Sequence, residues 1–310
     1  MSKGSSSCFK ICFGCCVGII LFLIIMAGIS AFYVKSNQMD PPVFEEISRA
    51  QEFDSHELQG VVLSELPPDV IPIKVTIDVN FCNLSILPNA PSGAIKVSGE
   101  YDKANGVFEF NTAEPGVQQE FLISYKNDKN ILFNLGDGGA DAALKRNHIM
   151  VHLPVDSAID LQVIHGQGDL EIDLTGVPLN DLNIKSKMSE VQIRNMMKNP
   201  IVLNEFVLDH SMGELVLKNM ENFRFNNLIA DFSMGEYKLR SNGLFYRSAV
   251  IHVDASLGNF IFRFPENVKI TNHLRSNSGS IFFTDQDTGE KTVDVELKGE
   301  VKWGEATIAQ

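Results

Sequence analysis

The sequence is short of cysteine, of tryptophan and of positive charge, and each shortage removes a class of explanation. Five of its 310 residues are cysteine, and four of these, Cys8, Cys12, Cys15 and Cys16, lie at or inside one apolar run near the N-terminus. Cys82 is alone in the remainder, and a lone thiol closes no intrachain disulfide. The bulk of the chain must therefore hold itself together by its apolar core. The spacing of Cys8, Cys12 and Cys15 is loosely that of a metal site, but the apolar surroundings favour lipid-facing or acylated cysteines. Lysine and arginine number 26 against 39 aspartate and glutamate, a net charge of −13. A nucleic-acid surface needs a basic stripe, so nucleic acid is excluded as a partner. Anionic lipid would repel everything except the N-terminus.

Catalytic signatures are lacking as well. Asp209-His210-Ser211 is a triad in one dimension only, because neighbouring residues of a strand point to opposite faces. One unit further on, Phe232 replaces the histidine while Ser-Met-Gly-Glu is kept. His148 and His152 lie four apart in a strand-like stretch with no acidic partner between them, which is poor zinc chemistry. Carboxylates are abundant, but no pair stands out as a glycosidase couple. No cofactor and no catalytic residue is expected.

What the chain does have is a repeat from Leu161 to Asp285. Gly168, Ser189, Gly213, Gly235, Gly258 and Gly279 anchor six units spaced by 21, 24, 22, 23 and 21 residues. Two and four residues after each anchor the chain is apolar: Leu170/Ile172, Val191/Ile193, Leu215/Leu217, Tyr237/Leu239, Phe260/Phe262 and Ile281/Phe283. Seven and five residues before, the pairs are Leu161/Val163, Leu182/Ile184, Phe206/Leu208, Leu228/Ala230, Ile251/Val253 and Asn272/Leu274. Asn272 makes the sixth unit the least regular. Spacing by two on both sides of a small residue predicts two short strands joined by a tight bend, with Gly168, Gly213, Gly235, Gly258 and Gly279 as the structural turn. An even period predicts stacking, since one unit cannot bury its apolar side chains alone. The expected fold is all-β: a β-solenoid like a single-stranded β-helix, about 22 residues per coil, with one N-terminal transmembrane helix.

The rest of the chain is read around that repeat. Residues 1–10 are a small, polar cytoplasmic tail carrying Lys3 and Lys10. Residues 11–34 contain no charge and are long enough for a transmembrane helix. The basic N-terminal flank places the tail in the cytoplasm and the bulk outside, periplasmic or at the cell surface. A cleaved signal peptide is the alternative, helped by Ser30 and Ala31. Residues 35–70 form a juxtamembrane linker, in which Asp40-Pro41-Pro42 stops the first helix and Phe44 to Leu58 is expected as a short one. Residues 71–150 form an irregular β region that caps the solenoid. Val75, Ile77, Leu84 and Ile86 fit the template if Cys82 takes the anchor place, and further strands are expected at Ala94–Val97, Val107–Phe110, Phe121–Tyr125 and Ile131–Leu135. Gly136 to Asp141 resembles one copy of a calcium-binding Gly/Asp repeat and reads as a loop. Asn83-Leu84-Ser85 is a glycosylation sequon, relevant only in a eukaryotic secretory pathway. Regular repeats and a C-terminal cap occupy 151–310, with Val293, Val295 and Leu297 closing the last coil and Trp303 covering that end.

Stacking turns sequence columns into surface rows. Asp209, Asp231 and Asp254, four residues before their anchors, form one predicted row, followed by Arg275. Glu190, Glu214 and Glu236, one residue after, form a second. Like charges opposite one another on neighbouring strands are destabilising. Either local turn bonding and solvent absorb that cost, or the edge binds divalent cations or a cationic, hydroxyl-rich ligand.

The motif Ser211-Met212-Gly213-Glu214-Leu215-Val216-Leu217 returns as Ser233 to Leu239 and as Ser256 to Phe262. In these residues, and in His152-Leu153-Pro154 followed by Leu161 to Ile172, the chain resembles the bacterial putative-adhesin family of domains of unknown function, related to the toast-rack β-repeats. The likeness covers 150–285. It implies a β-solenoid tethered to a bacterial membrane and exposed outside it, and brings no catalytic residues. The function expected is a non-catalytic binding or scaffold module of the cell envelope, integral to the membrane, with an envelope protein or a polysaccharide as partner. The alternatives are an accessory subunit of a membrane signalling or envelope complex, with Gly14, Gly18 and Gly28 as helix-packing positions, and a polysaccharide-acting enzyme.

Overall fold

The computed structural model describes residues 43–52, 66–67, 70–113, 118–127, 144, 146–284 and 291–310. The predicted transmembrane span 11–34, the tail before it, the strand at Ile131–Leu135 and the loop Gly136 to Asp141 lie outside these. Among the described residues no helix is long and apolar enough to cross a membrane.

Among the described residues the fold is all-β, an open sheet of fifteen strands. Its centre is a parallel stack of β8 (Ile159–Asp173), β9 (Leu179–Arg194), β10 (Glu205–Lys218), β11 (Asn227–Arg240) and β12 (Ala249–Arg263). The register advances by one repeat each time, so that Gly213 meets Ser189 on one side and Gly235 on the other, and Gly235 meets Gly258. Each of these five units is one continuous strand of 14 to 16 residues with its anchor in mid-strand, not the two short strands expected. Glycine at positive φ (125° at Gly213, 153° at Gly235) turns the chain while its ladder bonding to both neighbours continues. A Cβ on Gly235 would lie 1.8 Å from the carbonyl oxygen of Gly213, so the column is glycine for close approach as well as for conformation.

The apolar pairs of the first five units point inward and are buried, Phe206, Leu208, Leu215 and Leu217 in β10 among them, whereas Phe283 of the sixth unit is exposed. The segments between strands turn apolar residues toward the same core: Leu174 and Val177, Leu203, then Met220 and Phe223 of the short 3-10 helix Met220–Phe223, Phe225, Phe245 and Phe264. Buried Asn199 ties one connector to the stack, accepting from Leu179 N at 2.9 Å and donating to the carbonyls of Leu179 and Ile201.

Toward the N-terminus the template continues in pieces. The strands β2 (Ile73–Val79) and β3 (Asn83–Leu87) pair with the two halves of β8, Val75 facing Leu161 and Leu84 facing Leu170, which gives Cys82 the anchor place, as expected. One layer further, β6 (Glu120–Asn127) and β7 (His148–His152) repeat the arrangement, with Phe121 facing Val75 and Ile149 facing Leu84. Then the direction changes. β5 (Gly106–Thr112) and β4 (Ala94–Asp102) add antiparallel and end the parallel stack. The segment expected as a short helix from Phe44 is instead β1 (Phe44–Glu52), antiparallel to β4 along all nine residues. It buries only Ile47 fully. With no wide apolar stripe for a helix to bury, the backbone ladder offered by the open edge of β4 decides its conformation.

The C-terminal end departs most from expectation. β15 (Val293–Ala309) lies between β12 and the sixth unit, which is split into β13 (Val268–Ser276) and β14 (Ser280–Thr284). Gly258 therefore meets Gly304, and Gly279 packs on Gly304, not on Gly258. The tail does not close the last coil but fills the place before it. Burial explains the order: β15 buries Val295, Leu297, Val301, Ala306 and Ile308, whereas β13 and β14 are mostly exposed. The more apolar strand takes the inner position, and Asn272, misfit in the template, is exposed on an edge strand. Trp303 does not cover the end either. It stands 60% exposed beside Leu257.

Candidate interaction edge

Both predicted acidic rows form. Asp209, Asp231 and Asp254 are consecutive ladder partners, and the inserted β15 continues the row with Glu300, moving Arg275 one place further out. Burial, with Asp254 and Asp209 alongside, raises the Asp231 carboxyl above its usual range. His252 Nε2 lies 3.2 Å from Asp254 Oδ2. The second row runs Asp169, Glu190, Glu214, Glu236, Asn259, Glu305.

That second row has a cation of its own. Lys238 Nζ lies 2.7 Å from Glu214 Oε1 and 2.9 Å from Glu236 Oε2, bonds that hold its ammonium above the usual lysine range. The lysine occupies the position between two carboxylates where a divalent ion would have to sit. Among the described residues no group of three or more His, Cys, Asp or Glu is arranged to hold a metal. Four residues past this second row runs a basic row of Arg194, Lys218, Arg240 and Arg263.

Between the two acidic rows, at the corner of the bent strands, lies a column that the sequence reading passed over. The residue before each anchor is Gln167, Met188, Met212, Met234, Leu257 and, through β15, Trp303, each the ladder partner of the next. From Met188 onward all are exposed, by 39% to 60%. The signal was present in sequence: the place before the glycine is apolar in unit after unit, outside the inward pattern. Beside this ridge, two residues before the anchors, Ser211, Ser233 and Ser256 occupy the central units and Lys187 and Lys302 the ends.

On the inner side of the same strands His165, Ser186 and His210 form a buried polar column. Ser186 Oγ lies 2.5 Å from His210 Nδ1, and His165 Nε2 donates to the carbonyl of Cys82 at 2.9 Å. Burial pushes the His210 imidazole down to about 4, with His165 adding to the effect, and burial lowers His165 too. His210 points inward while Asp209 and Ser211 are part-exposed on the other face, so the linear triad does not assemble. His148 and His152 are taken up by serines of adjoining strands, at 3.0 Å to Ser85 Oγ and 3.2 Å to Ser98 Oγ. The sequon residue Asn83 is in a paired strand and accepts from Asp169 N at 3.0 Å.

No protein-family model and no curated protein matches the chain. Among solved structures it is similar to one described as a putative cell adhesion protein from Clostridium sporogenes, at 13% identity and a TM-score of 0.37, covering 86% of this chain and 100% of that one. A putative adhesin from Parabacteroides merdae gives 10% identity and 0.37, over 84% and 96% of the two chains. A putative lipid binding protein from Parabacteroides distasonis gives 10% and 0.34, over 86% and 99%. At these scores the likenesses bear on neither activity nor ligand.

Proposed function

We propose that the protein is a non-catalytic binding or scaffold module of the cell envelope: a β-solenoid held outside the cytoplasm by a single N-terminal transmembrane helix, with an envelope protein or polysaccharide as partner. The observation that carries the reading is the in-register parallel stack. It turns each outward position of the repeat into an exposed row of like chemistry, acidic, apolar or basic, and such rows suit extended partners better than small molecules. The imidazole–hydroxyl pair of His210 and Ser186 is buried in the core, out of reach of any substrate. The uncharged run 11–34 and its basic flank support the anchor and its orientation.

In-cell crosslinking of the full-length protein, with mass spectrometry of what it captures, tests the reading. Capture of surface proteins or wall material through residues 161–285 is the expected result. Capture of a small set of membrane proteins through the first 35 residues alone would replace it with the accessory-subunit reading.

A further inference from the structure

The corner ridge has the chemistry of a docking surface, and its flanks say for what. Five apolar side chains, Met188, Met212, Met234, Leu257 and Trp303, stand in one row with 39% to 60% exposure each. At about 4.8 Å per strand the row is about 19 Å long. Three of its members are methionines, whose unbranched, polarisable side chains adapt to varied apolar partners. Along the central units the ridge runs between Asp209, Asp231 and Asp254 on one face and Glu214 and Glu236 on the other. Lys238 bridges the two glutamates, whereas Asp209 and Asp231 make no ion pair among the described residues. The unmatched charge is thus on the aspartate side. Basic residues stand only at the ends of that row, Lys185 as the ladder partner of Asp209 and Arg275 beyond Glu300, and Lys187 and Lys302 end the neighbouring serine column.

We infer that this ridge binds an amphipathic helix of a partner protein, one with a row of lysines or arginines beside its apolar stripe. The inference rests on the binding-module reading and names the partner's chemistry. A helix presents an apolar side chain about every 5.4 Å on one face, close to the 4.8 Å step of the ridge, so about 13 residues follow the row with little slippage. Its basic row lies over Asp209, Asp231 and Asp254, where neighbouring carboxylates raise the cost of charge until a cation arrives. Two other occupants fit less well. A second copy laid ridge to ridge brings acidic rows against acidic rows. An anionic membrane meets the same repulsion.

Trp303 makes the test direct, because it is the only tryptophan of the chain and stands in the ridge. Full-length protein in phosphatidylcholine vesicles is titrated with a tryptophan-free Leu/Lys peptide designed as an amphipathic helix. The expected result is a saturable blue shift of Trp303 emission. Binding should weaken at least tenfold in Met212→Ser/Met234→Ser, and at least tenfold in Asp209→Asn/Asp231→Asn/Asp254→Asn. Raised salt should weaken it, and a Leu/Glu peptide should leave the emission unchanged. All five substituted side chains are at least partly exposed, and an unchanged thermal melt confirms that each variant is folded. Undiminished binding by both folded variants, or no shift at all, overturns the proposal. Quenching of Trp303 by brominated lipid without peptide would assign the ridge to the membrane, and a concentration-dependent shift without peptide would assign it to a second copy. Either result overturns it. If the peptide fails while crosslinks still map to 161–285, the ridge reading falls and the binding module stands. Crosslinks confined to the first 35 residues strike the module reading instead.

Discussion

Lowering the pH should destabilise this protein through a residue that touches no ligand. His210 is fully buried, with Ser186 Oγ on Nδ1 and the Tyr237 ring 5.6 Å away. Its imidazole is held down to about 4 in the folded chain, against 6.5 for an ordinary histidine. A depressed histidine means that the unfolded chain binds the proton more tightly. Its contribution is whole above pH 6.5, declines as pH falls from 6.5 toward 4, and levels off below. The full difference is about 3 kcal/mol, most of which is realised at about pH 4.5. His165, lowered for the same reason, acts in the same direction. Asp181, Glu221 and Asp231 act oppositely, since burial raises their carboxyls and the folded state gains as they protonate. A single pH curve mixes these effects, so the test is a difference. Phe232 already occupies the place beside His210, which makes His210→Phe the natural replacement. Its lost bond to Ser186 costs about 1 kcal/mol at every pH. Urea denaturation of both proteins should show the wild type losing roughly 2–3 kcal/mol more than the variant between about pH 7.5 and about pH 4.5. Parallel pH curves would refute the argument, because the imidazole would then not be the group that resists protonation in the core.

Gly235→Ala should be severe, costing at least about 3 kcal/mol in denaturant melts, from the positive φ and a Cβ set against the Gly213 carbonyl. Ser189→Ala, in the same column, should shift stability by less than about 1 kcal/mol, and a similar loss for both would mean the column is not packed as described. Removing the bridging ammonium by Lys238→Met should cost roughly 0.5–1 kcal/mol at low ionic strength, with solvent screening of the half-exposed glutamates included. That deficit should shrink in high salt, and a salt-independent deficit would assign it to packing instead.

The sequence carries the stack and much of the edge because both depend on one period. An inward residue at every second position and a small residue at each bend fix which side chains meet on neighbouring strands, so Asp209, Asp231 and Asp254 were legible as a row from the sequence. The Met188–Trp303 ridge was equally legible once the place before the glycine is read as a column of its own. The inner place of β15 was not. Leu297, Gly304 and Ile308 announce a further unit, but which unit stands next to β12 depends on which buries more apolar surface, a comparison between segments that no local pattern makes. β1 fails for a related reason: its conformation is set by the unpaired edge of β4, about fifty residues away along the chain.

The inner place of β15 bears on the order in which the molecule can be built. A row of stacked units invites a picture of growth from one end, each segment settling on its predecessor as it is made. That picture stops at β12. The two strands made next, β13 and β14, find no ladder partner in β12; among the described strands both hydrogen-bond to β15, which is synthesised after them. They must wait, then join with it. β13, β14 and β15 thus form a late, cooperative closing step, and a truncation that deletes β15 alone should release two layers of the structure at once.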